Sequence, residues 1–118
     1  MAEPIVLSAT TMIGDTVKNL KGDEIGKIEE IMIDIDSGLV AYAVLSFGGF
    51  MGFGDKLFAI PWGMLEIDTE NKNFILDIDA DRLEDAPGFD KDNWPQMITR
   101  EWINNLYVFY KQETVQEK

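Results

Sequence analysis

One stretch, residues 39–47, reads LVAYAVLSF and is apolar at both odd and even positions, with Ser46 as the exception. A strand with one solvated face would carry polar residues at every second position, so we expect this strand to be covered on both faces. The interior of its own barrel would cover one face. The other face would be covered either by a helix of the same chain or by a second chain.

In the preceding residues, 24–36, apolar and polar side chains alternate with a period of two. The first two isoleucines, Ile25 and Ile28, do not share one phase with the later ones. One extra residue shifts the facing of everything that follows it, so a β-bulge near Gly26 or at residues 29–30 would restore the pattern. Residues 36–38 read Asp-Ser-Gly and predict a tight hairpin turn that leads into residues 39–47, with Gly38 as a turn residue.

Shorter strand patterns surround this hairpin, at residues 16–20, 56–61, 64–68 and 73–78. Gly22 can supply a positive φ in the turn after the first of them. Pro61 cannot donate to a strand ladder, so we expect it at a strand end or a sheet edge. The close spacing of turns predicts a small β-barrel of about six short strands.

The pattern changes after residue 79. Residues 89–93 are expected to form a loop, and from Thr99 the apolar spacing becomes helical. Thr99 is a suitable N-cap, and the helix is expected over about residues 99–111. The predicted fold is therefore mainly β with a C-terminal α-helix. We expect a barrel domain at residues 8–87 and an extension at residues 88–118.

Composition narrows the possible functions. The chain has 118 residues, with 22 acidic against 10 basic side chains and a net charge of −12, and it contains neither cysteine nor histidine. Thiolate and imidazole chemistry are therefore absent, and we expect no enzyme activity and no cofactor. The acidic field would repel phosphates, so we expect no nucleic-acid partner.

The sequence also bears on location. Residues 38–54 contain no charged side chain, but five glycines and acidic flanks favour a strand and a glycine loop over a membrane span. We expect no transmembrane segment. The first residues lack the basic and apolar regions of a secretory signal, so a cytoplasmic location is expected.

The most conspicuous segment is a glycine-rich loop at residues 48–54, GGFMGFG. It does not match a phosphate-binding pattern, because no Lys-Ser or Lys-Thr follows. Its glycines allow sharp turns between two strands. The glycines are Gly48, Gly49, Gly52 and Gly54, and the large apolar residues between them are Phe50, Met51 and Phe53. These apolar side chains either fold back onto the core or form a patch that a partner covers, and we favour the partner.

The terminal helix carries an aromatic stripe that includes Trp102 and Tyr107. Such a stripe fits either an intramolecular core or a subunit interface, and Tyr and Trp are suited to interfaces. We predict that five side chains contact a partner: Phe50, Met51, Phe53, Trp102 and Tyr107.

Two sets of carboxylates are candidates for chemistry. Asp77, Asp79 and Asp81 resemble the start of a calcium loop, but Arg82 and Gly88 stand where its glycine and bidentate glutamate belong. They are weak metal candidates, so we predict no specific metal site. A second set is expected to form a solvated strand face rather than an acid–base pair. Its members are Glu24, Glu29, Glu30, Asp34 and Asp36.

The order of these segments resembles the PRC-barrel domain, the β-barrel of the photosynthetic reaction centre H subunit and of a ribosome-maturation factor. The matching features are Gly14, residues 19–28, Asp34 with residues 36–38, the strand and glycine loop at 40–54, and Ala-Ile-Pro-Trp at 59–62. The resemblance covers roughly residues 8–87. It implies a compact barrel used for assembly or docking, without a catalytic constellation, as in free-standing bacterial members.

The leading expectation is therefore a non-enzymatic docking module that self-associates, as a dimer, and binds a protein partner. One alternative is a soluble relative of the reaction-centre H subunit that docks on a membrane electron-transfer complex. Another is a weak binder of a cation or small ligand.

Overall fold

The computed structural model describes residues 6–47, 56–78, 88–90 and 98–110, the third of these ranges by its backbone alone. Two helices are present there, α1 at Ala9–Met12 and α2 at Arg100–Tyr110, with a 3₁₀ turn at Trp62–Met64. The strands, in chain order, are β1 Thr16–Lys18, β2 Glu24–Ile33, β3 Val40–Phe47, β4 Lys56–Pro61, β5 Leu65–Asp68, β6 Asn73–Leu76 and β7 Gly88–Asp90.

These strands form one curled sheet in the order β5-β6-β1-β2-β3-β4-β7. Neighbouring strands are antiparallel, except that β1 runs parallel to β6. The expected class, mainly β with a small barrel-type sheet and a C-terminal helix, is confirmed. All six predicted strands are present.

The seventh strand was not predicted. β7 pairs with β4, with Lys56 opposite Asp90 and Phe58 opposite Gly88, where the sequence interpretation placed a loop from Phe89 onward. Three residues are too few to show a period of two, so the interpretation of Phe89 and Asp90 as loop was wrong. Both β7 and α2 lie beyond residue 87 and pack with the sheet, and the division at 8–87 and 88–118 stays a prediction.

The predicted irregularities of β2 are confirmed at both places. The pairing of β1 with β2 shifts between Gly26 and Glu24. The pairing of β2 with β3 shifts between Ile28 and Glu30. Each shift inserts one extra residue into β2. The insertion turns the isoleucines after it to the opposite face of the strand and bends β2 around the core.

Strand β3 lies near the middle of the sheet and is buried from Ala41 to Leu45. The helix of the same chain covers it, since Trp102 of α2 packs on Tyr42 and Tyr107 of α2 bonds to the backbone of Ala41. Of the two covers that the sequence left open, the structure shows the helix. The sheet supplies the other fully buried residues, among them Val17, Ile28, Ile60, Phe74 and Leu76.

The predicted turn and end residues lie as expected. Gly22 and Gly38 have φ values of 88° and 78°, which glycine adopts without steric cost. Pro61 is the last residue of β4. The hydroxyl of Thr99 accepts a hydrogen bond from Trp102 N at 3.1 Å, which caps α2.

Close contact between β2 and β3 makes Gly26 irreplaceable. A Cβ atom at this position would lie 2.0 Å from the carbonyl oxygen of Ser46 and 2.9 Å from the side chain of Leu45. The first of these is backbone, so the strands would have to separate. We expect Gly26→Ala to lower the free energy of unfolding by about 2 kcal/mol or more, measured by urea denaturation.

The exposed neighbour Lys27 lies on the same strand and provides the control. Lys27→Ala should change the free energy of unfolding by no more than about 0.5 kcal/mol. Equal stability of the Gly26→Ala and Lys27→Ala variants would contradict the close approach of the two strands.

Candidate functional site

The predicted contact residues fall into two groups. Phe50, Met51 and Phe53, with their flanking glycines at residues 48–54, lie outside the described residues. Trp102 and Tyr107 lie on α2 within the described part of the chain, so their surroundings can be compared with the prediction.

Tyr107 points inward. It is 5% exposed, and its hydroxyl donates a hydrogen bond to the carbonyl oxygen of Ala41 in β3. Burial raises the pKa of this hydroxyl above its ordinary value, so it stays protonated and keeps donating. The structure thus places Tyr107 in the contact between helix and sheet, one of the two settings that the aromatic stripe left open, and its contact with a partner stays a prediction.

Trp102 lies half-buried at the margin of the same contact. Its ring is 5.3 Å from that of Tyr42, centroid to centroid, at an interplanar angle of 49°. Tilted aromatic pairs at this distance are attractive. One part of Trp102 therefore anchors α2 to β3, and its exposed remainder is available to a partner.

The most constrained side chain is Asp34, in the turn between β2 and β3. Its Oδ1 atom accepts hydrogen bonds from the backbone N–H groups of Asp36 and Ser37, at 3.0 and 3.3 Å. Its Oδ2 atom accepts a hydrogen bond from Nη1 of Arg100, at 2.5 Å. The guanidinium also reaches Asp36, with Nη2 3.6 Å from Oδ2. Asp34 therefore holds its own turn and joins it to the start of α2.

The charge of Asp34 is stabilised by these donors. Its side chain is 3% exposed, and a buried carboxylate is tolerated only when it is paired and hydrogen-bonded. The hydrogen bond from Arg100 lowers the pKa of Asp34 from 3.8 to about 2, assisted by the backbone donors of Ser37 and Asp36. The same contact raises the pKa of Arg100.

Arg100 opens α2, where a cation opposes the helix dipole. The ion pair with Asp34 explains why an arginine stands at a position where the helix dipole alone would disfavour it. The expectation that Asp34 belongs to a solvated strand face was wrong, since this carboxylate is enclosed by its turn and by Arg100. Its partner lies 66 positions away. Only the local Asp-x-Asp-Ser-Gly pattern, typical of side-chain-to-backbone turns, could have indicated its role.

Exposed aliphatic side chains surround this turn. Ile35 is 93% exposed, Ile33 52% and Leu39 41%. We call these three side chains the hairpin tip. Beside them a groove of about 410 Å³ separates the turn from the start of α2. Its apolar lining consists of Met32, Ile33, Ile35, Ala41, Tyr42, Ile98 and Ile103, and its polar lining of Asp34, Asp36, Thr99 and Arg100.

A second, more open cleft of about 540 Å³ lies between the β1–β2 turn and the β5–β6 turn. Lys18, Asp68 and Asn71 line it, and Asn73 lies at its base. The Oδ1 atom of Asn73 is closed to solvent and has no hydrogen-bond partner. A ligand in the cleft could not reach that atom without moving its neighbours, so this cleft is a weaker candidate than the groove.

Of the metal candidates, only Asp77 lies within the described residues, and it lines neither cleft. Asp77 is exposed, while Asp79 and Asp81 lie outside the described residues. Within residues 6–47, 56–78 and 98–110, no group of three His, Cys, Asp or Glu side chains is placed to hold a metal ion. In the same part of the chain, no helix is both long and apolar enough to cross a bilayer.

Comparison with known families matches this architecture. The family model of the PRC-barrel domain matches residues 4–83, about two thirds of the chain. The chain belongs to the PRC-barrel family, as the order of its turns and strands predicted. Among curated proteins, none matches this sequence.

One similar solved structure is named as a 16S ribosomal RNA processing protein, RimM, from Pseudomonas aeruginosa. The two share 20% sequence identity with a TM-score of 0.44 over 67% of this chain. The alignment spans 48% of that protein, so the present chain corresponds to about half of its length.

The depressed pKa of Asp34 predicts a pH-dependent contribution to stability. A carboxyl with a folded-state pKa of about 2 and an unfolded value near 3.8 stabilises the fold above pH 3.8, and this contribution is lost as the pH falls toward 2. Urea denaturation should therefore show Asp34→Asn to be less stable than the unsubstituted protein at neutral pH. The difference should shrink between pH 4 and pH 2.

Asp36 supplies the control, because its side chain is 87% exposed and lies farther from Arg100. At neutral pH, Asp36→Asn should lower stability less than Asp34→Asn does, because Asp36 is exposed and makes only the longer contact. A deficit of Asp34→Asn that stays constant down to pH 2 would show that the carboxylate charge is not what stabilises the turn.

Proposed function

We propose that this PRC-barrel protein is a non-enzymatic docking module that self-associates, as a dimer, and binds a second protein. The observation that carries the docking part of the proposal is the hairpin tip. Its aliphatic side chains project into solvent from a turn that is fixed by Asp34. Exposed apolar groups grouped on a rigid element are typical of a contact surface.

The sequence supports the non-enzymatic part of the proposal. With no histidine and no cysteine, the chain offers neither an imidazole base nor a thiolate nucleophile. The buried Asp34 is committed to its turn and to Arg100. Its low pKa makes it a poor proton acceptor at neutral pH.

The charge of the chain supports a protein partner over a nucleic acid. The chain has twenty-two acidic and ten basic side chains, whereas phosphate recognition depends on clustered lysines and arginines. RNA processing belongs to the name of the structural neighbour and is not proposed for this chain. A cytoplasmic location stays part of the proposal.

Self-association is proposed to involve Phe50, Met51 and Phe53, together with the exposed part of Trp102. Light scattering tests this. We expect the unsubstituted protein at high concentration to have a mass near twice the 13.4 kDa of one chain. Replacing Phe50 and Phe53 by Ser should shift the mass toward that of one chain, because two large apolar contacts are lost.

Exposed aliphatic residues elsewhere provide a matched control. Leu20 and Val108 are 68% and 71% exposed, and neither belongs to the predicted set of contact residues. The Leu20→Ser, Val108→Ser double variant should associate like the unsubstituted protein. A strict monomer at high concentration, unaffected by replacement of Phe50 and Phe53, would contradict self-association.

A further inference from the structure

We propose that the hairpin tip and its groove form a docking site for an apolar, lysine- or arginine-bearing segment of another protein. This inference rests on the proposed docking function and adds to it the place of contact and the chemistry of the partner. Neither the family match nor the structural neighbour indicates such a site.

The first argument is the amount of apolar surface at one place. Ile33 and Ile35 line the groove, and Leu39 lies across the turn, with its carbonyl accepting a hydrogen bond from the backbone N–H of Asp34. At their exposures these side chains present a few hundred Å² of apolar surface, comparable with the largest patch on a typical monomer. The groove beside them continues this surface inward along Met32, Tyr42 and Ile103.

The second argument is rigidity. The backbone of the turn is closed by hydrogen bonds from Asp34 N to Leu39 O at 2.8 Å and from Gly38 N to Asp34 O at 2.7 Å. The Asp34 carboxylate adds two more bonds within the turn and one to Arg100. A surface that is already ordered loses little conformational entropy when a partner binds, which favours affinity.

The third argument is charge, and it identifies the occupant. Asp34 and Asp36 line the groove with Arg100 as their shared counter-ion, so the described lining residues carry one net negative charge. Glu29 and Glu30 are exposed on β2, the strand that leads into this turn. The whole chain carries −12. A lysine or arginine beside the apolar residues of a partner segment would be attracted by the negative charge of this groove.

The same charges disfavour a second copy of this chain at the tip. Two copies meeting here would juxtapose their exposed Asp36 side chains. Like-charge juxtaposition of this kind is a penalty that a basic partner does not meet. The tip is thus assigned to a different protein, and self-association to the aromatic residues named above.

The test uses three synthetic amphipathic helical peptides with the same leucine positions and with lysine, glutamine or glutamate at the polar positions. Each is titrated into the full-length protein at low salt, with binding followed by fluorescence anisotropy and the contact mapped by amide chemical shifts. We expect the Leu/Lys peptide to bind at least tenfold more tightly than the Leu/Gln peptide and the Leu/Glu peptide to bind least. Added salt should weaken the Leu/Lys complex.

Ile35→Ser is the decisive variant, because a side chain that is 93% exposed can be replaced without disturbing the fold. It should weaken binding of the Leu/Lys peptide about tenfold or more, as expected for the loss of one well-buried aliphatic contact. The matched control is Leu20→Ser, in the β1–β2 turn at the other end of β2 from the tip, which should leave binding unchanged. The largest amide shifts should fall at residues 33–39.

Several results would overturn the inference. They are equal binding of the three peptides, equal effects of Ile35→Ser and Leu20→Ser, or amide shifts that fall elsewhere. Loss of the dimer in Ile35→Ser, measured by light scattering, would assign the tip to a second copy instead and would also overturn it. If the peptides fail while the protein still dimerises through Phe50 and Phe53, the inference fails and the self-association part of the proposed function stands.

Discussion

The carboxylate of Asp34 receives hydrogen bonds from two parts of the chain that are 66 positions apart, its own turn and the first residue of α2. Because β3 is apolar on both faces, the sheet needs a second layer. The helix supplies it only if it begins at the right place. Asp34 and Arg100 fix that place at one end, and the hydroxyl of Tyr107 fixes the helix farther along by its bond to Ala41. The Asp34 carboxylate is stabilised in its buried position by Arg100 of α2, and α2 is in turn held over β3 by that carboxylate.

The same interaction links the fold to the proposed function. The turn is held by the carboxylate, and the aliphatic side chains around it lie in solvent, where no described strand or helix covers them. The protein thus keeps one apolar surface covered, under α2, and leaves another open at the hairpin tip. That difference is the observation on which the proposed docking function rests.

The strands could be predicted because their information is local. Period-two alternation, the Asp-Ser-Gly turn and the out-of-phase isoleucines of β2 are properties of neighbouring residues, and the structure confirms the hairpin and its bulges. The capping role of Thr99 is local in the same way. β7 is too short to carry a pattern, so its place depends on the β4 edge that it meets.

The site was harder to predict because its determinants are not local. Nothing near Asp34 in the sequence indicates Arg100, so a carboxylate in an acidic strand was interpreted as solvated. Tyrosine is a residue type that is common at interfaces. Tyr107 is buried because β3 lies beneath it. Conversely, alternation alone assigns Ile33 and Ile35 to an apolar face. Their exposure follows from the end of the sheet, where no described strand or helix covers them.

The coupling of turn and helix can be measured directly by amide hydrogen exchange in Arg100→Gln. If Asp34 joins the two, removal of the guanidinium charge should speed exchange at the amides of Asp36 and Ser37 and in the first turn of α2 together. Exchange in the distant β5–β6 hairpin should not change. Faster exchange confined to α2, with Asp36 and Ser37 as protected as before, would contradict the account, because the turn would then hold itself without the helix.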